Sequence, residues 1–378
     1  MAKKILFCAS TSSHIKNFHL PYIAEFKKNE YEIYIATSDK QSITDAKAHF
    51  TLPFYKNFFS LKNISAIFRA RSLILKHHFD VISLHTTLAG AVVRAALLTI
   101  PKRFRPKVYY TCHGYLFSQG DGLLRWRYLL PEKLCARVTD VLMVMNREDE
   151  AAALKYRLCA GSVYYINGMG LSPGRFTVPE PCVHMEAKRA LGFEPGDFLF
   201  IYAAEFSKRK NHRCLIQAFA DVCELMPNTY LLLAGAGALY QESRALCEKL
   251  GIARRVRFLG HVTDMPALLM GCDACVSTST VEGLPFNILE SLASGLAVIA
   301  SNIKGHRELS LAGDAFSLFD TPEQLKQKLI TVAKVPNCRY FSDVKPFLLD
   351  SVLPAIMAIY INESVQTTAQ DFEKVGVI

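Results

Sequence analysis

Short continuous apolar runs alternate with stretches in which apolar residues recur at helical spacing, along nearly the whole chain. Lys4-Ile5-Leu6-Phe7-Cys8-Ala9-Ser10 opens the series. A run this short and this apolar fits a strand covered on both faces. The pattern then predicts a helix over 20–26, a strand over 31–36, a helix over 64–77, a strand over 80–85 and a helix over 88–98. Two further strand-like runs, 108–114 and 141–146, end like the others in polar residues. This order predicts a doubly wound parallel sheet, whose ligands bind beyond the carboxyl ends of the strands. Ser12, His14, His85, His113 and Asn146 all fall at such ends.

Residues 172–192 break the pattern with Pro173, Gly174, Pro179 and Pro181, which marks a linker. A second series follows, with strands over 198–203, 229–234, 256–259 and 274–278 and helices over 212–224, 239–250 and 265–270. The chain is therefore expected to form two α/β domains of similar size facing one another across a cleft, 1–172 and 190–344. The tail, residues 345–378, begins with Phe347, Leu348, Val352, Ile356 and Ile359 on an apolar face and is expected to return to the first domain. Pro354 predicts a kink or a break there.

The stretch from Ser279 to Ser301 reads as strand end, sharp loop, helix, turn and strand. Glu282-Gly283-Leu284-Pro285 cannot continue a strand, Pro285 suits the first turn of a helix, and Gly295 ends that helix. Glu282 lies in the loop and Glu290 about two turns down the helix, with the donor-rich helix start between them. Two acceptors flanking an anion site suit a ligand with phosphates in the middle and hydroxyls at both ends. A nucleotide sugar is such a ligand.

Composition narrows the class. Hydrophobic residues make up 51% of the 378 and charged residues 21%, which argues for a folded protein and against disorder. The longest apolar run, Leu88 to Ile100, is too short to span a bilayer and is interrupted by Arg94. The start, Met-Ala-Lys-Lys before Ile5, reads as a first strand rather than a signal peptide. Eleven cysteines without a regular framework fit a reducing cytoplasm, and the single Cys-x-x-Cys, Cys272 and Cys275, sits in an apolar strand and reads as structural. The net charge of +10 is concentrated in residues 1–189, which carry 27 Lys+Arg against 14 Asp+Glu. Its densest parts are Lys102-Arg103-Phe104-Arg105-Pro106-Lys107 and Leu123-Leu124-Arg125-Trp126-Arg127. Basic and aromatic residues mixed in this way suit an anionic membrane surface or a solvated basic face. No nucleic-acid motif accompanies the charge, so no nucleic-acid partner is expected.

The pair Glu282 and Glu290, with seven residues between, resembles the Glu-x7-Glu motif of retaining GT-B glycosyltransferases of family 4. Ser13-His14-Ile15 with Phe18-His19-Leu20-Pro21, His85-Thr86-Thr87-Leu88-Ala89-Gly90 and Thr111-Cys112-His113-Gly114-Tyr115 are similar to segments of a subgroup that builds bacterial capsules and exopolysaccharides. Pro131-Glu132-Lys133, Asn146-Arg147-Glu148-Asp149 and Asn167-Gly168-Met169-Gly170 continue the match in the same order. The resemblance implies a GT-B fold of two Rossmann-like domains, the first binding the acceptor and the second the donor. It implies that Glu290 accepts hydrogen bonds from ribose hydroxyls, that Glu282 holds sugar hydroxyls, and that Gly283, Leu284, Pro285 and Phe286 face the sugar and diphosphate. Lys210 takes the position of the phosphate-binding lysine, with Lys208 or Arg209 as a second cation; Glu205 stands where many relatives carry arginine. Gly235 and His261 belong to loops over the nucleotide, His113 resembles the active-site histidine, and His14 and His85 fall on the acceptor side.

The function implied is retaining transfer of a hexose or N-acetylhexosamine from a UDP-sugar to a lipid-linked oligosaccharide in bacterial surface polysaccharide synthesis. It would take place at the cytoplasmic face of the membrane, with the protein held there peripherally. The leaving diphosphate, held by Lys210 and its neighbours, would assist deprotonation of the acceptor hydroxyl, so positioning and electrostatics carry most of the rate. Asp-x-Asp is absent, and no metal or other cofactor is expected. The alternatives are a GT-B-fold sugar-nucleotide epimerase or phosphorylase, and a noncatalytic basic surface-binding protein.

Overall fold

The computed structural model describes residues 2–361 apart from 42, 44, 56–59, 119–120 and 311–314. The chain divides into two compact units, Met1–Gly170 with the segment that begins at Leu349, and Leu171–Leu348.

In the first unit, β1 (Lys4–Cys8), α1 (Ser12–Phe18), α2 (Leu20–Lys28), β2 (Glu32–Thr37), β3 (Ala48–Thr51), α3 (Lys62–His77) and β4 (Val81–His85) follow in order. Then come α4 (Thr87–Leu98), β5 (Lys107–Cys112), α5 (Trp126–Cys135), β6 (Val141–Val144), α6 (Arg147–Tyr156) and β7 (Ser162–Tyr165). The strands form one parallel sheet in the order β3-β2-β1-β4-β5-β6-β7. The order reverses between β1 and β4, the place where a doubly wound sheet opens a crevice beyond its strand ends. Residues such as Leu6, Leu84, Tyr110 and Leu142 bury the strands against α3, α4 and α5.

The second unit opens with α7 (Pro181–Ala190). It continues through β8 (Phe198–Ala203), α8 (His212–Leu225), β9 (Thr229–Ala234), α9 (Tyr240–Lys249), β10 (Val256–Gly260) and α10 (Met265–Gly271). After β11 (Ala274–Ser277) come α11 (Phe286–Ala293), β12 (Ala297–Ser301), α12 (Lys304–Leu309), β13 (Phe316–Phe319) and α13 (Pro322–Ala333). Its parallel sheet runs β10-β9-β8-β11-β12-β13, with the reversal between β8 and β11. Here Phe200, Tyr202, Leu231, Val276 and Ile299 fill the core.

Three sequence expectations are corrected. Residues 172–192 are not a free linker, because α7 is anchored inside the second unit. The Lys188 ammonium, fully buried, donates to Asp273 at 3.0 Å and to the Asn337 side chain at 2.9 Å, and His184 lies against the same two residues. The tail helix starts later than expected, as α14 (Leu349–Ile361), and runs unbroken past Pro354. Pro354 stands at the sixth helical position, so α14 gives up the bond that its N–H would have made to the Asp350 carbonyl and still continues to Ile361. The rest of the predicted tail, residues 362–378, lies outside the described residues. Finally, Pro285 sits just before α11 in extended conformation, as its N-cap, instead of in the first turn.

The helix α14 belongs to the first unit. Tyr360 stacks on Tyr109 with ring centroids 4.2 Å apart and meets the edge of Phe26. Its hydroxyl hydrogen-bonds the Ser83 hydroxyl at 2.6 Å. A buried Tyr hydroxyl needs such a partner, and this one ties the last described helix to the middle of β4.

Candidate functional site

At the carboxyl end of β8 the chain turns through Lys208–Lys210, a short 3-10 turn, before α8. Asn211, left-handed at φ 51°, ends the turn. The loop after β11 clamps it: the Thr280 amide donates to the Arg209 carbonyl at 2.8 Å, and the Thr278 hydroxyl to the Asn211 carbonyl at 2.9 Å. The buried Tyr202 hydroxyl donates to the Lys210 carbonyl at 2.9 Å and hydrogen-bonds Ser279 at 2.8 Å. Since β8 and β11 are neighbours in the sheet, this basic turn and the Glu282 loop are held against each other.

The ion pairs follow from that clamp. Lys210 Nζ donates to Glu282 Oε1, and an Arg209 guanidinium nitrogen donates to Oε2 at 3.3 Å. Glu282 is buried, Lys210 half-buried and Arg209 exposed. Burial pushes the Glu282 carboxyl up, but Lys210 and Arg209 outweigh it and hold the group below its usual range, so it is ionised at neutral pH. Lys208 is exposed and makes no ion pair with Glu282 among the described contacts.

Glu290 sits half-buried on α11 in a contrasting setting. Burial raises its pKa to about 7, with Arg175 pulling weakly the other way. Two carboxylates of one loop and helix are thus set to different protonation behaviour by their surroundings. Leu284 and Pro285 are buried beneath the loop, and Phe286 is half-buried at the positive end of the α11 dipole.

The loop has a floor. A Cβ built on Gly305 of α12 would lie 2.7 Å from the carbonyl oxygens of both Glu282 and Gly283, so only glycine lets α12 come this close. Its neighbour His306 is fully buried between Ser277 and Ser301, and burial lowers its pKa to about 4. On the other side, Gly235 has φ 148° and lies so close to the Ala204 carbonyl that a Cβ would stand 2.1 Å from it. The Gly235 amide donates to the Gly260 carbonyl at 2.6 Å, which brings the Gly235 loop beside exposed His261.

In the first unit the structure gathers histidines. His14 lies in α1, His19 between α1 and α2, His85 at the end of β4 and His113 just after β5. Ring centroids are 3.8 Å apart for His19 and His85, 4.8 Å for His14 and His113, and 5.2 Å for His14 and His19. Burial lowers every one of these pKa values, that of His14 to about 4, and mutual repulsion lowers His19, His85 and His113 further. All four are neutral at pH 7. Thr86, at φ 67° a strained backbone for a β-branched residue, hydrogen-bonds the Ser10 hydroxyl at 2.7 Å and fixes the end of β4. Asn146 proves to be a cap: its side-chain oxygen accepts from the Asp149 amide at 2.8 Å, and Asp149 accepts from the Tyr115 amide at 3.1 Å, steadying the loop after His113.

Residues 184–339 match the family model described as glycosyl transferases group 1, and residues 39–162 match the glycosyl transferase 4-like domain. Over 315 residues, 83% of this chain and 82% of the relative, the sequence is 33% identical to a Bacillus subtilis (strain 168) protein named "Putative glycosyltransferase EpsD". The chain belongs to the group 1 glycosyltransferases. A second relative of this glycosyltransferase, 23% identical over 73% of each chain, is the Escherichia coli UDP-Gal:alpha-D-GlcNAc-diphosphoundecaprenol alpha-1,3-galactosyltransferase. Among solved structures, Anabaena HepE in complex with UDP and glucose covers 100% of both chains at a TM-score of 0.67 and 20% identity. The fold is GT-B.

The sequence placed Glu282, Lys210 and Arg209 in the glycosyltransferase's second unit, and the structure joins these three. It joins His14, His85 and His113 in the first unit and adds His19, which sequence reasoning did not single out as a site residue. Gly305, His306 and Tyr202 were also missed. His19 immediately precedes a Leu-Pro helix start, and a histidine at such a boundary after His14 was the available signal.

Proposed function

We propose that this glycosyltransferase is a retaining enzyme that moves a hexose or N-acetylhexosamine from a UDP-sugar to a lipid-linked oligosaccharide in surface polysaccharide synthesis. The observation that carries the donor assignment is the Glu282 carboxylate held by Lys210 and Arg209 beside the start of the helix that bears Glu290. In this reading the diphosphate competes with Glu282 for the two cations, and Glu282 turns to sugar hydroxyls. Negative charge developing on the leaving phosphate is met by Lys210, Arg209 and the α11 dipole, groups already fixed by the clamp on the basic turn. Glu290 accepts from the ribose hydroxyls. The UDP bound to HepE and the UDP-Gal named for the Escherichia coli relative support uridine over other bases.

The acceptor assignment rests on the first unit. Among the described residues no helix is long and apolar enough to cross a membrane. Leu123 and Leu124 are 86% and 79% exposed, and Trp126, Leu130 and Leu134 of α5 are exposed beside Arg125, Arg127 and Lys133. Leu61, Ile64 and Phe68 are exposed at α3, and an apolar groove of about 230 Å³ lined by residues including Ile67, Leu88 and Leu134 lies among α3, α4 and α5. Apolar side chains interleaved with cations fit a peripheral seat on an anionic leaflet. The Escherichia coli relative is named for a diphosphoundecaprenol-linked acceptor, and a lipid-linked acceptor fits such a seat.

The test is calorimetry with UDP and GDP, followed by a panel of UDP-sugars with a polyprenyl-diphosphate glycan in anionic vesicles. Binding of UDP over GDP and an acceptor-dependent glycoside product with the donor's anomeric configuration are expected. A new sugar nucleotide formed without acceptor would mark an epimerase instead, and absence of nucleotide binding would favour a noncatalytic protein.

A further inference from the structure

Four imidazoles from three separate connections meet at one point of the first unit. One ring nitrogen from each of His14, His19, His85 and His113 lies within 4.8 Å of the other three, the only such grouping of metal-ligating side chains among the described residues. Nε2 of His14, both ring nitrogens of His19, Nδ1 of His85 and Nε2 of His113 are buried without a hydrogen-bond partner. Buried polar atoms are nearly always paired, so five orphaned nitrogens at one spot call for a common partner. A single cation supplies one for four of the five, one nitrogen from each ring, because each neutral imidazole has one lone pair to give; the second His19 nitrogen carries that ring's proton.

The surroundings are those of a ligand set. His85 and Ser83 are hydrogen-bonded, Nε2 to Oγ at 2.7 Å, and Ser83 continues to the Tyr360 hydroxyl at 2.6 Å. This fixes the ring and leaves Nδ1 for ligation, the outer-shell arrangement that orients metal-binding histidines. Phe7 lies parallel to His85, within 8°, and keeps that side apolar. Nitrogens around a tetrahedral zinc ion stand about 3.4 Å apart, so the widest pair must close by roughly 1.4 Å. His14 and His113 are the half-buried pair and have room to move, whereas His19 and His85 are buried.

We propose that His14, His19, His85 and His113 bind one divalent transition-metal ion of the zinc class at the carboxyl ends of β1, β4 and β5. Four nitrogens with no carboxylate favour zinc, copper, nickel or iron(II) over magnesium or calcium. Four neutral ligands leave the ion's charge uncompensated, a fixed positive centre in the first unit. The ion also ties down α1, whose N-cap bond from the His14 amide to Thr11 is a long 3.4 Å. The ligands all belong to the first unit, and the proposal stands whether or not the UDP-sugar reading holds.

The experiment uses the full chain, purified without a histidine tag, stripped with a chelator and titrated with Co²⁺ and then Zn²⁺. Uptake of one equivalent of cobalt with the visible bands of a tetrahedral nitrogen site, displaced by one equivalent of zinc, is expected. His14→Ala and His19→Gln should each weaken cobalt binding at least about tenfold. His78→Asn, at an exposed histidine of the same unit, should leave it unchanged. Circular dichroism checks the fold, and His14, only half-buried, is the variant least exposed to misfolding. Absence of stoichiometric cobalt uptake by the wild-type protein, or full affinity in both variants, overturns the site.

Discussion

Lys210 and Glu282, 72 residues apart in sequence, form an ion pair with little exposed surface on either side chain. Neither residue could reach the other without the β8–β11 pairing and the threonine clamp that fixes the basic turn. The pair concentrates the chemistry of the second unit in one contact.

Lys210→Ala should lower transfer about 10²–10³-fold, the cost of removing one preorganised group from a developing anion. Glu282 would keep Arg209 as a partner, so the fold should survive with a loss of about 1–3 kcal/mol. Lys210→Arg should recover part of the rate. Initial-rate kinetics with a UDP-sugar, together with urea unfolding, separate the two effects; wild-type turnover in Lys210→Ala would sink the leaving-group role.

Glu290, with a pKa near 7, predicts a pH signature. A carboxylate that accepts from ribose hydroxyls works best ionised, so UDP affinity should rise between pH 6 and 8, and Glu290→Gln should flatten that rise. Stability should move the opposite way. The folded pKa lies above the unfolded value of about 4.5, so the native state binds the extra proton. Its contribution is complete below pH 4.5 and is lost as pH climbs through 7, by up to about 3 kcal/mol. Urea midpoints at pH 5 and 8, wild type against Glu290→Gln, would show a flatter profile in the variant.

Arg94, the residue that interrupts the longest apolar run, is fully buried. One guanidinium nitrogen donates to both Glu132 oxygens, at 3.0 and 3.1 Å, and the group lies 3.8 Å over the Tyr110 ring. Glu132→Gln removes the counter-charge from a buried cation and should cost about 3–5 kcal/mol. A paired change, Arg94→Met with Glu132→Leu, should cost much less. Chemical denaturation checks both, and equal losses would contradict the pairing argument.

Gly305→Ala should act at a distance. Its added methyl meets the carbonyls of Glu282 and Gly283, so the donor loop must shift while the helix itself gains a better helix former. UDP affinity should fall at least about tenfold, and the backbone clash should cost about 1–3 kcal/mol of stability, partly offset by the helix gain. An unchanged Kd for UDP would show that the loop does not depend on this floor.

The central strands were readable because both faces of each are buried, which writes an unbroken apolar run. Phe198–Ala203 and Thr229–Ala234 came out with the same bounds as the sequence pattern. The edge strands β3, β7 and β13 did not, because they are four residues long and mostly half-buried, with mixed sequences. Helix α13 carries a start signal in its sequence, Thr321 as cap before Pro322 and Glu323. Glu282, Lys210 and His113 were legible by resemblance as separate loop residues. That His19 joins His14, and that Gly305 floors the donor loop, depends on tertiary approach, which local spacing does not encode.

The seating of Tyr360 against Ser83 and Tyr109 has a consequence for synthesis. Everything else described in the first unit has been translated by Gly170, yet the helix that covers β4 and β5 is made only after the entire second unit. On the ribosome, the domain begun first is therefore the last one closed. Until α14 emerges, Phe26, Tyr109 and Ser83 have an unfilled place beside them, and a chain stopped before Leu349 would present that surface to chaperones or to other nascent chains.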